Sequence, residues 1–311
     1  MRKFKTSIFF LLLSVCAAAQ TDIDGLMMEK SAFCVGPMAS HSSWTNYWEG
    51  KLKRNNLNLG KVSTTAYSIM GNYGITRNLN VLFGVPYIKT KASAGTLHGM
   101  KGVQDLNLFV KWRFLNKKKG YGRLSLFAIG GVSAPLSNYT PDFLPLSIGL
   151  KSKTASARIM ADYERGNWFA TGSATYVFRS NIEIDRTSYY TSEQHITNKV
   201  EMPDALNFNF RAGFRNRRLI AEAVLNNWTT LGGFDITRNN MPFPSNRMNA
   251  SMIGVNTKYV FPFLPELSIV AGVNTTVAGR NMGQSTAVYG SFFYVINLGK
   301  KEKPSDKTDK K

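Results

Sequence analysis

The 311-residue sequence has only two cysteines and three histidines. Two cysteines cannot build a disulfide scaffold. The histidines are dispersed along the chain and give no metal-ligand spacing, so the sequence predicts no metal site. The glycines form no phosphate-cradling loop that leads into a helix, so the sequence predicts no cofactor. After the first twenty residues no apolar run reaches the roughly 20 residues of a transmembrane helix, which excludes a helical membrane bundle.

Acidic residues are also scarce, with 19 Asp and Glu against 39 Lys and Arg, and the formal charge is +20. Yet 43% of the residues are hydrophobic and 12% aromatic, too apolar a composition for a disordered chain. The mean hydropathy is only −0.18. Helix-turn-helix, RNP and zinc-finger patterns are missing, so the basicity gives no support to nucleic-acid binding. A soluble basic domain and a β-barrel with alternating residues both fit this composition.

The first segment resembles an export signal, with a basic start, a short apolar core and a small-x-small site: Arg2, Lys3 and Lys5, then Ile8 to Val15, then Ala17-Ala18-Ala19. The core is about half the length of a transmembrane anchor. A lipoprotein site at Cys16 is the other alternative, but Val15 fits it poorly. We predict a signal peptide at 1–19 with cleavage before Gln20, a barrel domain at 20–299, and a charged, disordered periplasmic tail at 300–311.

The rest of the chain alternates apolar and polar residues, which indicates strands with two different faces. In 104–114 the apolar positions are Leu106, Leu108, Val110, Trp112 and Phe114, and the polar ones are Asp105, Asn107, Lys111 and Arg113. The same period recurs at 168–179, 204–215 and 286–298. No helical stripe is comparable, so the sequence predicts an all-β protein.

The pattern predicts about twelve strands, with ten or fourteen as alternatives, near 32–48, 57–73, 79–91, 103–115, 122–135, 146–163, 168–182, 203–215, 218–229, 248–261, 267–278 and 286–298. Most are ten residues or longer, whereas strands of soluble domains cluster around five or six and a tilted transmembrane strand needs about 9–11. Even-numbered connections are short and odd-numbered ones mostly longer, as in outer-membrane barrels with periplasmic turns and extracellular loops. A soluble β-sandwich is the alternative. We therefore predict an antiparallel transmembrane β-barrel in a Gram-negative outer membrane.

Aromatic residues near the predicted strand ends favour the same reading, because such barrels carry aromatic girdles at both interfaces. Trp44, Tyr47 and Trp48 precede the first loop, and the others flank the short turns: Tyr73, Trp112, Phe114, Tyr163 and Trp168.

Two neighbouring segments resemble a known family. One is the hairpin Gly71 to Val81 with Gly84 to Tyr87, and the other is the strand that begins at Gly102 and continues to Phe114. Both are similar to outer-membrane proteins described as transporter-like components of the MetA pathway of phenol degradation, which are distantly similar to long-chain fatty-acid transporters. The resemblance implies a barrel that passes small hydrophobic or aromatic molecules. About ten mature residues precede Ser31, too few for the N-terminal plug domain of the fatty-acid transporters.

Nine charged residues are expected to face the lumen: Asp105, Lys111, Arg113, Arg158, Asp162, Arg179, Arg211, Glu222 and Lys258. Twelve strands give a width between the filled eight-strand barrel and the open channel of sixteen or more. These residues either plug the lumen with excess positive charge, bias it toward anions, or simply hold a narrow barrel together as ion pairs.

Catalysis finds little support. A barrel lipase needs a Ser–His pair, and His41, His98 and His195 all fall near the extracellular rim or in loops. Ser43 shares a strand face with His41 without other signs of a nucleophile. The prediction is a non-enzymatic, monomeric barrel that passes or binds a small molecule. The alternative is a structural barrel whose loops 183–202 and 230–247 bind a surface partner or glycan.

The expected lipid contacts are outer-membrane lipid and lipopolysaccharide. The basic clusters Lys51 to Arg54, Lys117 to Lys119 and Arg215 to Arg218 fall at connections, where they are either solvated or in contact with anionic headgroups. For the first cluster that contact would be with lipopolysaccharide phosphates.

Overall fold

A computed structural model describes residues 21–191, 193–236 and 242–299. The predicted signal peptide at 1–19 and the predicted tail at 300–311 lie outside these residues. In the part of the chain that the structure describes, no helix is long and apolar enough to span a membrane.

Twelve long antiparallel strands form a closed barrel. Their bounds are β1 Ala32–Trp44, β2 Val62–Thr76, β3 Leu79–Ala92, β4 Asp105–Lys119, β5 Gly122–Pro135, β6 Thr154–Arg165, β7 Trp168–Arg179, β8 Ala205–Arg215, β9 Leu219–Thr230, β10 Asn249–Phe261, β11 Leu264–Arg280 and β12 Thr286–Asn297. Each strand pairs with its sequence neighbours, and β1 pairs with both β2 and β12, which closes the sheet. The predicted fold class is confirmed.

The connections alternate in length as predicted. Two or three residues join the strands at one end, at 77–78, 120–121, 166–167, 216–218 and 262–263. The other end carries loops at 45–61, 93–104, 136–153, 180–204, 231–248 and 281–285. By the rule for outer-membrane barrels, the short turns are periplasmic and the loops extracellular.

Three predicted strands are shorter at their extracellular ends than the sequence pattern suggested. The first ends at Trp44 rather than residue 48, because the chain then forms its own hairpin between Asn46–Glu49 and Leu52–Asn55. The second begins at Val62, and the sixth begins at Thr154 rather than residue 146. The sequence pattern extended the sixth strand back to residue 146 because Leu146 and Ile148 are apolar. Both side chains are instead buried among the extracellular loops.

The two barrel faces differ in chemistry. Large apolar side chains cover the outside, and Ile159 and Trp168 are 66% and 68% exposed to the surroundings. Trp112, Phe114 and Tyr163 lie outward near the short turns, as a periplasmic girdle requires. Trp44 and Trp48 differ from the prediction: Trp44 packs against Leu59 and Val62 under the cap, and Trp48 is buried.

The extracellular loops close over the barrel mouth as a cap with two apolar clusters. One contains Leu59, Val62 and Leu146. The other contains Ile182, Ile184, Val200, Met202 and Phe243, which brings together the loops 180–204 and 231–248. These apolar residues therefore stabilise the cap by packing against one another.

Candidate functional site

The described N-terminal residues 21–30 lie inside the barrel, where Lys111 holds them. Lys111 is completely buried. Its Nζ donates hydrogen bonds to the carbonyl oxygens of Thr21 at 3.0 Å and Asp24 at 2.6 Å, and it contacts Asp24 Oδ1 at 3.1 Å. All three ammonium protons thus have acceptors within this segment, which satisfies a charge that would otherwise be costly to bury.

A second strand holds the same segment through Arg158. Its Nη1 lies 2.7 Å from Asp22 Oδ2 and 2.8 Å from the carbonyl oxygen of Asp22, while its Nε donates to Thr175. The register places Lys111 opposite Ile129 on β5, and Ile129 opposite Arg158 on β6. Two cations at one level of the inner wall therefore bind two carboxylates in the segment.

The local fold of the segment presents these carboxylates correctly. The Asp24 carboxylate accepts hydrogen bonds from the backbone N–H groups of Thr21 and Leu26, at 2.6 and 3.0 Å, which is the turn-forming behaviour of Asp. Gly25 lies so close to Asp162 that a Cβ there would be 2.1 Å from the carboxyl carbon. Only glycine fits at this contact.

Apolar contacts also hold the segment against the barrel wall. Met28 is buried against Cys34, Phe293 and Val295, and Met27 packs on the cluster that contains Phe127. Residues 21–30 are therefore held by both ion pairs and apolar packing, and they occupy the lumen of the barrel. The sequence predicts no plug domain of the fatty-acid transporter kind, and this segment is not one; it is a short stretch of chain that lies within the lumen.

A second group of buried ion pairs lies on β6 to β10. The Arg211 guanidinium pairs with Glu222, which also accepts a hydrogen bond from Asn256 Nδ2 at 2.8 Å. Arg215 contacts Asp162 at 3.2 Å and lies over the Phe169 ring at 3.8 Å. Arg215 was expected at a connection, either solvated or in contact with anionic headgroups, but it lies on the inner face with Arg211.

The remaining expected lumen residues have individual partners. Arg113 donates to Asn78 Oδ1 at 2.8 Å near the periplasmic end. Arg179 lies over the Trp228 ring at 5.2 Å, and Lys258 is buried on the inner face of β10. The carboxylate of Asp105 accepts a hydrogen bond from Tyr139. Burial, followed by this hydrogen bond, raises the pKa of Tyr139 in its extracellular loop.

Asp22 and Asp24 were not among the predicted lumen residues, because that prediction used strand alternation and both residues precede the first strand. Arg215 did carry a signal, since it continues the alternation of Asn207, Asn209 and Arg211 on β8. The paired arrangement agrees with the interpretation of the charges as ion pairs that hold a narrow barrel together, here with the segment included.

A cavity of about 630 Å³ lies between the extracellular loops, and we call it the vestibule. Its apolar wall includes Trp44, Tyr47, Leu97 and Phe143. Asn56 and Asp142 also line it, and their Nδ2 and Oδ1 atoms are buried without a hydrogen-bond partner among the described residues. A cavity of this size and composition is typical of small-molecule sites.

A smaller cavity of about 180 Å³ lies beside the N-terminal segment in the lumen. Thr21 and Asp22 form one side, and Met70, Leu82 and Phe109 are among the other lining residues. An apolar cavity of about 150 Å³ is enough to bind benzene in another protein. The segment therefore borders a space of single-ring size.

Asn281 joins three extracellular loops above the vestibule. Its Oδ1 accepts hydrogen bonds from the N–H groups of Gly50 and Ile236, at 2.8 and 3.0 Å. Its Nδ2 donates to Asp235 and to the carbonyl oxygen of Arg247, at 2.7 and 2.8 Å. Its φ of 54° is left-handed, a conformation that asparagine tolerates better than most residues.

Acid should loosen this junction through Asp235. Hydrogen bonds from Arg280, at 2.7 and 2.6 Å, lower the pKa of Asp235 from 3.8 to about 2. A depressed carboxyl pKa contributes stability that is present above the unfolded value and lost as the pH falls through the folded value. We therefore expect hydrogen-exchange protection of residues 231–236 to fall between about pH 4 and pH 2.

The exchange rates must be corrected for their intrinsic pH dependence. Asp235→Asn should remove the acid step, and the exposed Asp185→Asn should retain it. An acid step that survives Asp235→Asn would contradict this assignment.

Two of the histidines have described partners other than serine. His41 Nδ1 lies 2.9 Å from Thr65 Oγ1 on the outer face, and His195 stacks on Tyr189 at 4.7 Å in a loop. Among residues 21–191, 193–236 and 242–299, no group of three or more His, Cys, Asp and Glu side chains forms a metal site.

Comparison with known proteins supports the architecture. No family model matches the chain, and no curated protein matches it. Among solved structures, the COG4313 outer membrane channel from Pseudomonas putida F1 has a TM-score of 0.70 at 15% identity, covering 90% of this chain and 100% of that one.

Two more distant likenesses are a Pseudomonas aeruginosa FadL homologue and a monoaromatic hydrocarbon channel, the TodX deltaS2S3 mutant. Their identities are 11% and 8% and their TM-scores 0.34 and 0.41; they cover 86% and 88% of this chain, and 90% and 91% of their own chains. The fold conclusion rests on the first structure alone. The chain has the fold of an outer-membrane β-barrel channel, and the predicted class is confirmed at that level.

Proposed function

We propose that this protein is a non-enzymatic, monomeric outer-membrane channel for small molecules that combine an apolar ring with a hydroxyl or similar polar group. The vestibule is the observation that carries the proposal. Its aromatic and aliphatic wall favours a ring, and the side chains of Asn56 and Asp142, whose Nδ2 and Oδ1 have no hydrogen-bond partner among the described residues, favour a polar group on it. We expect the Asn56 side chain to turn toward the cavity, where its Nδ2 can donate a hydrogen bond to a ligand hydroxyl.

The path continues through the lumen, where the N-terminal segment acts as the gate. The segment borders the smaller cavity, and Lys111 and Arg158 fix it there. A single-ring compound passes from the vestibule to this cavity and then to the periplasm when the segment moves. The likeness to an outer-membrane channel supports passage as the role of the barrel.

Binding at the vestibule can be tested with benzyl alcohol and toluene, which differ by the hydroxyl. In the detergent-solubilised full chain, Asn56→Leu should weaken benzyl alcohol binding about fivefold, the value of one neutral hydrogen bond. Toluene binding should stay unchanged, so the ratio of the two dissociation constants from calorimetry is the readout. General damage to the loop would weaken both ligands equally.

Asn58→Leu is the matched control, because Asn58 belongs to the same loop and cavity wall but is exposed. An unchanged ratio in Asn56→Leu would remove the polar part of the proposal. Absence of any open current in planar bilayers, even with the segment released, would remove passage itself.

A further inference from the structure

A row of polar and basic side chains lies on the outer face of the barrel near the extracellular rim. His41 on β1, Thr65 on β2 and Lys89 on β3 are directly paired, and Lys101 in the short strand Lys101–Val103 pairs with Lys89. Directly opposite residues point to the same face of an antiparallel sheet. The four residues therefore form one row across about 14 Å, at roughly 4.8 Å per strand.

The row faces outward, away from the lumen. Lys89 follows Tyr87, which is 40% exposed, by two residues on β3, and the intervening Ile88 lies on the other face. The next inward residue, Thr90, is buried and donates to the carbonyl oxygen of Leu146. Lys91, also exposed, adds a third ammonium group on the outer face.

Aromatic residues fix the height of the row. One step toward the periplasm, Tyr67 and Tyr87 are paired and both outward, at 58% and 40% exposure. Outward tyrosines form the girdles at the edge of the apolar band. The basic row therefore lies just above the apolar band, at the level of the outer-leaflet headgroups.

Among the described residues, no ion pair compensates the charge of this surface. Lys89 and Lys101 are opposite one another, and like charges in that arrangement destabilise a sheet. None of the ion pairs between described residues includes Lys89, Lys91 or Lys101. The outward positions of β1, β2 and β3 carry no Asp or Glu.

We propose that Lys89, Lys91 and Lys101 form a binding site for a phosphate group of the anionic glycolipid in the outer leaflet. The three lysines share one outward patch, with Lys101 directly opposite Lys89 and Lys91 two residues further along β3, and His41 and Thr65 lie in the same row. Their location differs from that of the Lys51 to Arg54 cluster expected to contact lipopolysaccharide phosphates. That cluster lies on a loop hairpin, and Arg54 is paired with Glu49 at 2.6 Å.

The test is native mass spectrometry of the detergent-solubilised full chain titrated with bisphosphorylated lipid A. The double variant Lys89→Gln and Lys101→Gln should bind it roughly 30-fold more weakly, as expected for the loss of two cations at an anionic surface. Inorganic phosphate at the same concentration should not compete, since the site also requires the acyl chains below the row.

The matched control is the double variant Lys51→Gln and Lys53→Gln, which removes the same charge from the loop hairpin and should leave binding unchanged. Equal weakening in both double variants would overturn the site in favour of a general charge effect. Full competition by inorganic phosphate would overturn the assignment to a lipid. Thermal unfolding midpoints within about 2 °C of the parent protein would show that all variants are folded.

Discussion

Lys111→Met is expected to release the N-terminal segment from the barrel wall. The substitution removes three interactions and leaves Asp24 without its cation in a largely buried position. Breaking one side of a buried pair costs about 3–5 kcal/mol. Each 1.4 kcal/mol corresponds to about a tenfold change in an equilibrium constant. The ratio of docked to released segment should therefore fall by two to three orders of magnitude or more.

Cys34 gives a direct measure of this release. It is 1% exposed, lines the small lumen cavity and is packed against Met28. In Lys111→Met, a small water-soluble thiol reagent should modify Cys34 at least about tenfold faster, because buried thiols are inert and accessible ones react. Planar-bilayer recordings should show open current for a larger fraction of the time.

Arg113→Met is the control for this experiment. Arg113 lies on the same strand and face, two residues from Lys111, but bonds to Asn78 instead of the segment. In Arg113→Met, the reactivity of the Cys34 thiol should match that in the parent protein. If Lys111→Met and Arg113→Met behave alike, the ion pair with Asp24 does not hold the segment in place.

The Arg211–Glu222 pair should give the largest change in stability of the barrel itself. Arg211→Met leaves the Glu222 carboxylate, whose side chain is 4% exposed, with the amide of Asn256 as its one remaining hydrogen-bond partner among the described residues. A cost of about 3–5 kcal/mol lowers the midpoint of thermal unfolding by roughly 10 °C in a domain of this size.

The double variant Arg211→Met with Glu222→Leu should recover most of that loss, since replacing a buried pair by apolar residues is often neutral. Arg123→Met, on an exposed arginine of β5, should change the midpoint by less than about 2 °C. A double variant no more stable than Arg211→Met would contradict the explanation by an unpaired charge. Heat-dependent mobility in gel electrophoresis provides the midpoint.

The barrel and its two faces could be predicted from the local sequence pattern. In every long strand, apolar residues that face lipid alternate with residues that face the lumen. Lys111, Arg158 and Arg211 could be placed on the inner face from alternation alone. Their partners could not, because contacts across the lumen depend on closure of the sheet. Asp24 and Lys111 are 87 residues apart in sequence, and no periodic signal links them.

The packing of the extracellular loops into a cap could not be predicted from the sequence either. Loop residues such as Leu146 and Ile148 are apolar because they pack under neighbouring loops, and sequence alone does not distinguish this packing from a strand. The two unpartnered atoms of the vestibule likewise become visible only when the loops 45–61 and 136–153 are brought together.

The proposed gate is covalently joined to the wall that it binds, since the segment leads directly into β1 at Ala32. A short tether holds a ligand at an effective concentration in the millimolar range. Any solute that displaces the segment therefore competes with a ligand in the same chain. The effective concentration of that ligand does not fall when the protein is diluted. Such a channel would need a higher solute concentration for half-maximal opening than the affinity of the unoccupied site alone would require, because the docked segment reduces the fraction of protein that is free to bind.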